Sequence, residues 1–547
     1  MKKILNKIGI VPVALGLIFL QACNKENSLG EDPYAGGKEP LGIVFENLNR
    51  PMASVRPGDV FEVKVRGLQK HEADVEVFLN EQLADVVSLS DSTLEVRVPS
   101  LVSSGGLKIK IRDQIYFGPR VPIEGNVRFD SDYGVKNGFN GSVNYILPGT
   151  GGNDFWILGD FSDFENQATN TVFRNNIHKI TSLGESVKTA VGSFNVEKGT
   201  VGGVNTMVPL ADGKYMIGGS MVGFNNNKKS YYLNRITRLN TDGSIDTTVL
   251  ELINTTPEKP LNAFDTLPAF NAYLGSTINS GFTISSANHL FATPDTGVIA
   301  VGNFGLHSFI DYRYSSRESK MFVYTPVNNI VRLKSDGRID SVFGYNNAGA
   351  NGFINGAIET NDGKIVIVGA FSSFNGRPAN RIVAFNKNGT INTAFNVGTG
   401  ANEEIYAITY NKSRNKIALA GRFTSFNGVA KFGVVILNAD GSVDDTFTLG
   451  DVEQRIPTYA YVMNNGKILV SGDFIRYNGI QRSRILILEN DGTALQQYNN
   501  IGEFAGRINS VVETTSSLGH PALLIGGSFR LADSKSVGNL FKLEVRN

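Results

Sequence analysis

The chain has 547 residues, of which 41% are hydrophobic; it is long enough for more than one domain and too apolar for a disordered or collagen-like protein. Its single cysteine excludes an internal disulfide framework and a thiolate metal cluster. The 52 basic and 51 acidic residues are balanced, which argues against binding of nucleic acid through its phosphates. The 60 glycines indicate many tight turns instead.

The amino terminus has the composition of an export signal. A lysine-rich start precedes an apolar run from Ile8 to Leu20 that is too short to span a membrane. The run ends in Leu20-Gln21-Ala22-Cys23, which resembles the lipobox of bacterial lipoproteins. The resemblance implies a signal peptide over residues 1–22, lipidation of Cys23, and membrane attachment through the lipid alone. The alternative is a cleaved soluble-export signal with an incidental cysteine.

A flexible linker and a small β domain follow the signal. Residues 23–40 are rich in Gly, Asn and charge, which predicts the linker. Residues 41–123 contain short alternating strands bounded by turn residues, which predicts a small β-sandwich. The turn Pro57-Gly58 and the strand from Thr93 to Pro99 resemble the IPT/TIG immunoglobulin-like domain, which implies a spacer or interaction module. The predicted strands are Val60 to Val65, Val75 to Leu79, Thr93 to Val98 and Leu107 to Ile111.

From residue 124 to residue 547 the chain repeats itself. The cue is an apolar strand that ends in Gly-x-Phe, with Gly219-Ser220-Met221 as a conservative variant. Asp-Gly and Asn-Gly turns separate many of the apolar runs, which is the strongest short signal of a β-hairpin. Four antiparallel strands repeated seven times predict a seven-bladed β-propeller. The other Gly-x-Phe copies begin at Gly159, Gly302, Gly369, Gly421, Gly472 and Gly527.

The order of motifs within each unit supports the same architecture. Asp-Gly-Lys, an apolar strand, Gly-x-Phe, Phe-Asn-Gly, a strand and Asp-Gly-Ser-Ile-Asp-x-x-Phe together resemble the delta-60 repeat β-propeller family. The seventh unit stops at its third strand, Leu540 to Asn547, whereas Val127 to Gly134 matches the fourth-strand sequence Arg338 to Gly344. We therefore predict an all-β protein, with a small immunoglobulin-like β-sandwich followed by a seven-bladed β-propeller that an N-terminal strand closes.

Candidate catalytic and metal-binding residues should be unique in the chain, whereas residues that recur in every repeat are explained by the blade. Asp246, Asp340 and Asp444 share one repeat position with Asn392 and are interpreted as turn or strand-end acceptors. The five histidines lack metal-site spacing and are interpreted as isolated surface or loop residues. Trp156, the only tryptophan, is assigned to the core. These patterns predict no catalytic residue, no metal and no cofactor, while carboxylates paired only in space stay open.

Two insertions interrupt the repeat, one from Glu251 to about Ser280 and one from Leu306 to about Pro326. The two kinds of loop emerge on one face of a propeller, so we expect the insertions to lie side by side and to carry function. Their aromatic rings suit stacking on sugars or anchoring a protein; alternatively, they only pack the insertions onto the ring. The predicted ligand-binding residues are Phe264, Phe270, Tyr273, Tyr312, Arg313, Tyr314 and Tyr324.

The combined modules resemble surface glycan-binding accessory lipoproteins of glycan-foraging Gram-negative bacteria. The resemblance implies a non-enzymatic, surface-exposed outer-membrane lipoprotein that binds a polysaccharide, with an outer-membrane glycan transporter as a partner and no nucleic acid. A protein-interaction scaffold or adhesin would use the same face of the propeller for a protein ligand. A glycan lyase or glycosidase would instead need unique charged groups that converge at the central channel.

Overall fold

The computed structural model describes residues 40–149, 151–167, 176–187, 198–226, 229–252, 264–276, 285–316, 318–343, 348–453, 456–482 and 484–546. The predicted signal peptide, Cys23 and all but the last residue of the predicted linker lie outside these residues. The described part is almost entirely β-structure, as predicted, with short 3-10 segments at Gln69–Asp74, Tyr312–Tyr314 and Gln496–Tyr498. No helix in these ranges is long and apolar enough to cross a membrane.

The N-terminal domain is one path of seven hydrogen-bonded strands around a single core. Gln82–Leu89 pairs with Val75–Leu79 at its start and with Thr93–Arg97 at its end. This shared strand bends the sheet into a barrel-like shape, which joins the two layers of the predicted sandwich. In spatial order the strands are Val44–Phe45, Val60–Arg66, Thr93–Arg97, Gln82–Leu89, Val75–Leu79, Gly105–Ile111 and Gln114–Val121.

Seven antiparallel blades follow, and each blade contacts the next around a ring in which blade 7 meets blade 1. The inner strands of blades 1 to 7 are Ser142–Pro148, Val204–Pro209, Ser286–Ala292, Ile354–Glu359, Ile405–Asn411, Pro457–Val462 and Phe504–Thr515. The second strands are Asp154–Asp160, Tyr215–Gly219, Val298–Asn303, Ile365–Gly369, Lys416–Gly421, Ile468–Gly472 and Pro521–Ala532. The third strands are Ile177–Thr181, Ile236–Leu239, Ile330–Leu333, Ile382–Phe385, Val434–Asn438, Ile485–Leu488 and Leu540–Val545.

Shorter strands lie in the connections between second and third strands. The Phe-Asn-Gly motif of blade 4 forms a tight hairpin, in which Asn375 and Gly376 both have positive φ, 49° and 72°, as a type I′ turn requires. The small hairpins are Ser373–Phe374 with Arg377–Pro378, Ser425–Phe426 with Val429–Ala430, and Arg476–Tyr477 with Ile480–Gln481. Gly223–Asn226 pairs with Lys198–Val201 and Lys229–Tyr232 in blade 2, and Lys535–Ser536 pairs with the second strand of blade 7.

The recurring glycine of Gly-x-Phe is explained by close backbone approach. A Cβ at Gly369 would lie 2.0 Å from the carbonyl oxygen of Phe353, beside the inner strand of the same blade. The equivalent distance is 2.0 Å at Gly159 and 2.1 Å at Gly302. Any larger residue would push the two strands apart, so the glycine is a packing requirement of the blade.

The fourth strand of the blades is shorter than the sequence predicts. In blades 1 to 5 the third strand pairs with it through a single bridge, such as Phe385 with Ile391. The repeat residue one position later ends the pairing, because Asn392 Oδ1 accepts the backbone N–H of Ala394 at 3.0 Å and turns the chain inward. The following Phe395 is then buried in the core. The predicted role of this position as an acceptor is confirmed.

The predicted closure of the ring is confirmed in blade 7. Val127–Phe129 pairs antiparallel with the third strand, Leu540–Val545. Asp130 follows at once, and its carboxylate lies 3.5 Å from the ammonium of Lys542, with both side chains fully excluded from solvent. Asp130 also accepts the backbone N–H of Ser517 at 2.9 Å. Burial lowers the pKa of Lys542, which the charge of Asp130 opposes, so the buried pair holds the two ends of the ring together.

We predict that Asp130→Asn destabilises the propeller by about 3–5 kcal/mol, because it leaves a buried ammonium without a counter-charge. Urea unfolding of the mature chain measures the loss. Asp132→Asn is the matched control, since Asp132 is exposed two residues away, and we expect a change within about 0.5 kcal/mol there. Equal losses in the two variants would contradict a closing role for the pair.

Candidate functional site

The first insertion divides a repeat motif into two parts that lie far apart in the sequence. The hairpin Thr247–Glu251 with Phe264–Pro268 leaves the ring after Asp246 and returns to it at Ala269, whose N–H donates to the Asp246 carbonyl at 2.8 Å. Phe270 therefore occupies the place that Phe395 holds in blade 4, and its ring is 2% exposed in the core. Phe270 is a structural residue, and we remove it from the predicted binding surface.

The two insertions lie side by side, as predicted. Tyr273–Gly275 pairs with Leu306–Ile310, which in turn pairs with Phe322–Pro326. Tyr273, Ser308 and Tyr324 are directly opposite one another in this three-stranded sheet. Residues opposite one another point to the same face, so the sheet presents aromatic side chains from both insertions together. We use the name insertion module for this three-stranded sheet together with the hairpin Thr247–Glu251 and Phe264–Pro268.

Four aromatic rings form a continuous row on this face. Tyr232 stacks on Tyr273 with a centroid distance of 5.6 Å, and Tyr273 meets the edge of Phe322 at 5.3 Å. Phe322 then stacks on Tyr324 at 6.1 Å. The inner ring of Tyr273 is 5% exposed, whereas the terminal rings of Tyr232 and Tyr324 are each 62% exposed. We call this set the aromatic row; it is fixed in the middle and open at both ends.

The other predicted binding residues of the insertion module differ in their exposure. Phe264 and Tyr314 are largely exposed, whereas Tyr312 is half-buried. Arg313 donates from Nε and Nη2 to the carboxylate of Asp311 at 2.9 and 2.6 Å, and its guanidinium lies 5.5 Å from the ring centre of Tyr314. Its charge is therefore committed to the module itself.

Tyr232 was missed by sequence reasoning. It belongs to the strand Lys229–Tyr232 in the connection between the second and third strands of blade 2. That connection is not an obvious insertion, and only the fold brings it against Tyr273. A neighbouring pair of tyrosines, Tyr231 and Tyr232, was the available signal.

Two phenols of the module, those of Tyr273 and Tyr312, are held neutral. Burial raises the pKa of Tyr312 to about 12, with the charge of Asp265 adding to the effect, and burial likewise raises the pKa of Tyr273. Lys320 lies 3.5 Å from Asp265, which partly balances that carboxylate. The hydroxyl of Tyr312 is buried without a hydrogen-bond partner among the described residues. The module therefore offers neutral hydroxyl donors beside apolar rings.

The central channel is lined by the inner strands of all seven blades and has a volume of about 1190 Å³. A β-bulge in each inner strand leaves one residue without a cross-strand partner, and bulges re-aim side chains. All seven bulged residues line the channel: Asn144, Asn205, Asn288, Asn355, Tyr406, Thr458 and Asn509.

The bulged asparagines bind neighbouring blades. Asn144 Nδ2 donates to Asn205 Oδ1 at 3.0 Å, and Asn205 Nδ2 donates to Asn288 Oδ1 at 2.9 Å. Asn355 Nδ2 donates to the carboxylate of Glu404 at 2.8 Å and to the Ile405 carbonyl at 2.9 Å. These amides connect adjacent inner strands through hydrogen bonds, which explains why asparagine recurs at the bulged position.

The two acids that line the described channel are bound to different partners. Glu404 is bonded to Asn355 near the start of an inner strand, whereas Glu359 ends that same strand and binds Lys387 at 2.5 Å. Four residues of extended chain separate the two levels by about 13 Å. Glycosidase carboxylates are about 5–9.5 Å apart. Each of the two acids is therefore engaged by a partner of its own, at a different level of the channel.

Three of the five histidines differ from the sequence prediction. His178, His289 and His307 lie within strands and are largely enclosed, instead of standing in exposed loops. Burial lowers the pKa of His289 to about 4, which keeps it neutral at pH 7. Among the described residues no group of three or more His, Cys, Asp or Glu side chains is arranged to hold a metal ion. Trp156 is 3% exposed, which confirms its assignment to the core.

Comparison with solved structures finds only partial similarity at low identity. The WD40 β-propeller domain of Doa1 is 13% identical, with a TM-score of 0.37 over 77% of this chain and 96% of that one. An auxiliary nutrient binding protein from Bacteroides thetaiotaomicron is 11% identical, with a TM-score of 0.28 over 90% and 94%. A puromycin hydrolase is 11% identical, with a TM-score of 0.35 over 76% and 57%. These TM-scores are below 0.5, and we draw no functional conclusion from them.

Family models match segments in both parts of the chain. No curated protein matches it. Residues 19–119 match the model of a domain of unknown function, DUF5008. Four segments of blades 2, 4, 5 and 6 match the model of the DUF5122 β-propeller, a further domain of unknown function: residues 210–248, 360–395, 415–447 and 464–494. These matches together cover less than half of the chain, and they indicate similarity to DUF5008 near the amino terminus and to the DUF5122 β-propeller within the ring.

Proposed function

We propose that this chain is a non-enzymatic cell-envelope lipoprotein that binds an extracellular polysaccharide through the aromatic row of the insertion module. The observation that carries the proposal is the row itself, whose terminal rings, Tyr232 and Tyr324, are each 62% exposed. Aromatic faces present apolar area at little conformational cost. Two open rings separated by two covered ones suit an extended ligand better than a small one.

The surroundings of the row fit a polar, uncharged ligand. The nearby tyrosine hydroxyls are neutral donors, and the charges of Asp265 and Arg313 are engaged by Lys320 and Asp311. A polysaccharide offers hydroxyl groups to such donors and apolar ring faces to the tyrosines. Among the binding residues predicted from the sequence, we expect Tyr312 to donate to the ligand, because its hydroxyl is buried without a hydrogen-bond partner among the described residues.

A protein ligand is the second candidate, because apolar side chains flank the aromatic row. Val249, Phe264 and Met321 are all more than half exposed on the insertion module. Clusters of exposed apolar and aromatic residues anchor protein partners. A scaffold or adhesin would use these residues together with Tyr314, and the binding experiment below separates the two candidates.

The proposed location follows from the amino terminus. The lipid on Cys23 would hold the protein at the outer membrane, and the predicted linker would let the propeller project from the surface. A glycan captured there would pass to an outer-membrane glycan transporter, which we propose as the partner.

We predict that Tyr232→Ala and Tyr324→Ala each weaken polysaccharide binding about tenfold, because each removes one stacking surface. Affinity electrophoresis through gels that contain individual polysaccharides measures the effect. Phe117→Ala is the matched control, since Phe117 is 75% exposed on the N-terminal domain and should leave retardation unchanged. If no polysaccharide retards the protein, the protein ligand is favoured; equal retardation of all variants would place the site elsewhere.

A further prediction concerns Cys23. Cys23→Ala should abolish incorporation of radiolabelled palmitate and move the protein from the membrane fraction to the soluble fraction, because the thiol that carries the lipid is gone. Ser28→Ala, in the same predicted linker, is the control and should keep the label. Membrane association that survives Cys23→Ala would show that something other than the lipid attaches the chain.

A further inference from the structure

A second cavity lies between the N-terminal domain and blades 6 and 7, on a part of the ring remote in sequence from the insertion module. We call it the interdomain cleft, and its volume is about 350 Å³. Binding cavities for small molecules commonly fall in this size range and at domain boundaries. Its polar lining includes Asn80, Arg120, Gln481, Arg484 and Glu503.

The walls of the cleft are held rigidly. Ser104 donates from its backbone N–H and from Oγ to the Asn500 carbonyl, at 2.8 and 3.0 Å. Arg482 is 3% exposed and donates to Ser103 Oγ at 2.9 Å. A Cβ at Gly502 would lie 2.4 Å from the Ser104 carbonyl oxygen, so the two domains touch there through backbone. The cleft is therefore preorganised, which limits the entropy cost of binding.

Several polar side chains of the cleft have no hydrogen-bond partner among the described residues. The Asn80 amide nitrogen is buried without a hydrogen bond within the described ranges. Leaving a buried donor unsatisfied costs about 1–3 kcal/mol, and such groups commonly serve a ligand or an ordered water. Three further side chains that line the cavity make no hydrogen bond or ion pair to other described residues: Gln481 and Arg484, which are partly buried, and Glu503, which is exposed.

The position of Asn80 is itself specified. Asn80 has positive φ, 44°, in the turn between two strands of the N-terminal domain. A Cβ at Gly105 would lie 2.4 Å from Asn80 Oδ1. The glycine thus leaves room for the amide, and the amide is fixed at the wall of the cleft by a backbone conformation that asparagine tolerates well.

The remaining lining is apolar. Phe474 and Phe504 are buried beneath the cleft, and Ile475 is about half exposed beside them. The cavity therefore combines unpaired donors, one unpaired carboxylate and an apolar surface. A sugar ring presents the complementary set, because its hydroxyls both donate and accept and its C–H face is apolar. The opposite charges of Arg484 and Glu503 balance, which favours a neutral ligand over an anionic one.

We propose that the interdomain cleft is a second binding site, which takes a single neutral sugar residue, free or at the end of a chain. Asn80 and Arg484 donate to its hydroxyls, Glu503 accepts from them, and Ile475 contacts its apolar face. The proposal stands on residues that the aromatic row does not share, so either site can fail alone.

Saturation-transfer NMR and calorimetric titration of the mature full-length protein with glucose, galactose, mannose and N-acetylglucosamine test the proposal. We expect at least one sugar to bind, and we expect Asn80→Asp to weaken it about tenfold, because the change replaces a donor with an acceptor. Asn47→Asp is the matched control, since Asn47 is exposed on the same domain and also has positive φ, 58°. Arg484→Ala should weaken binding, whereas Tyr324→Ala should not.

Four results would overturn the proposal. One is the absence of binding by every neutral sugar, and another is binding confined to charged probes such as glucuronate or glycine. The third is equal affinity in wild type and Asn80→Asp. Loss of monosaccharide binding in Tyr324→Ala alone would assign the signal to the aromatic row, which would support that site and reject the cleft.

Discussion

The pairing of Val127–Phe129 with Leu540–Val545 is the constraint on which the rest of the molecule depends. It joins the ends of the ring and leaves blade 7 without an open edge. The buried pair of Asp130 and Lys542 lies directly beside this pairing and is costly to break. The same closing strand begins only a few residues after the N-terminal domain, so closure of the ring also positions that domain. Asn500 Nδ2 donates to the carbonyls of both Ile123 and Val127 and so links the domain, the closing strand and the ring.

Both proposed sites use parts of the chain that the repeat does not explain. Repeated residues have structural causes, such as close approach at Gly369 and turn formation at Asn392. The aromatic row and the N-terminal-domain wall of the interdomain cleft instead consist of residues outside the repeat, whereas Phe474 and Arg484 of the cleft hold repeat positions. The row gains its rigidity from strands that two insertions share, and the cleft gains its rigidity from backbone contact between two domains. A rigid ring with non-repeating additions is a suitable support for binding, because loops held on a fixed scaffold lose little entropy when a ligand arrives.

The central channel has the size and polar lining of a binding site, but its polar residues have structural roles. Its bulged asparagines line a cavity of about 1190 Å³, yet their amides connect adjacent inner strands. Its acids are separated along a strand and have partners of their own. The channel thus contributes to the cohesion of the ring. The unpaired groups that we propose for ligand binding lie outside the channel, in the insertion module and the interdomain cleft.

The sequence by itself determined the all-β class, the seven blades and the closing strand, because hairpin turns and apolar strands are local patterns that repetition makes unmistakable. It also located both insertions and most of their aromatic residues. Only the tertiary structure decided which rings meet, since the place of Phe270 in the core depends on a motif split by a hairpin, and Tyr232 reaches Tyr273 from another connection. The sequence likewise did not reveal the bulges or the interdomain cleft. The bulges depend on the register between strands and the cleft on contact between two domains, and both bring together residues that are far apart in the chain. Contacts of this kind leave no local pattern, and physical proximity alone defines them.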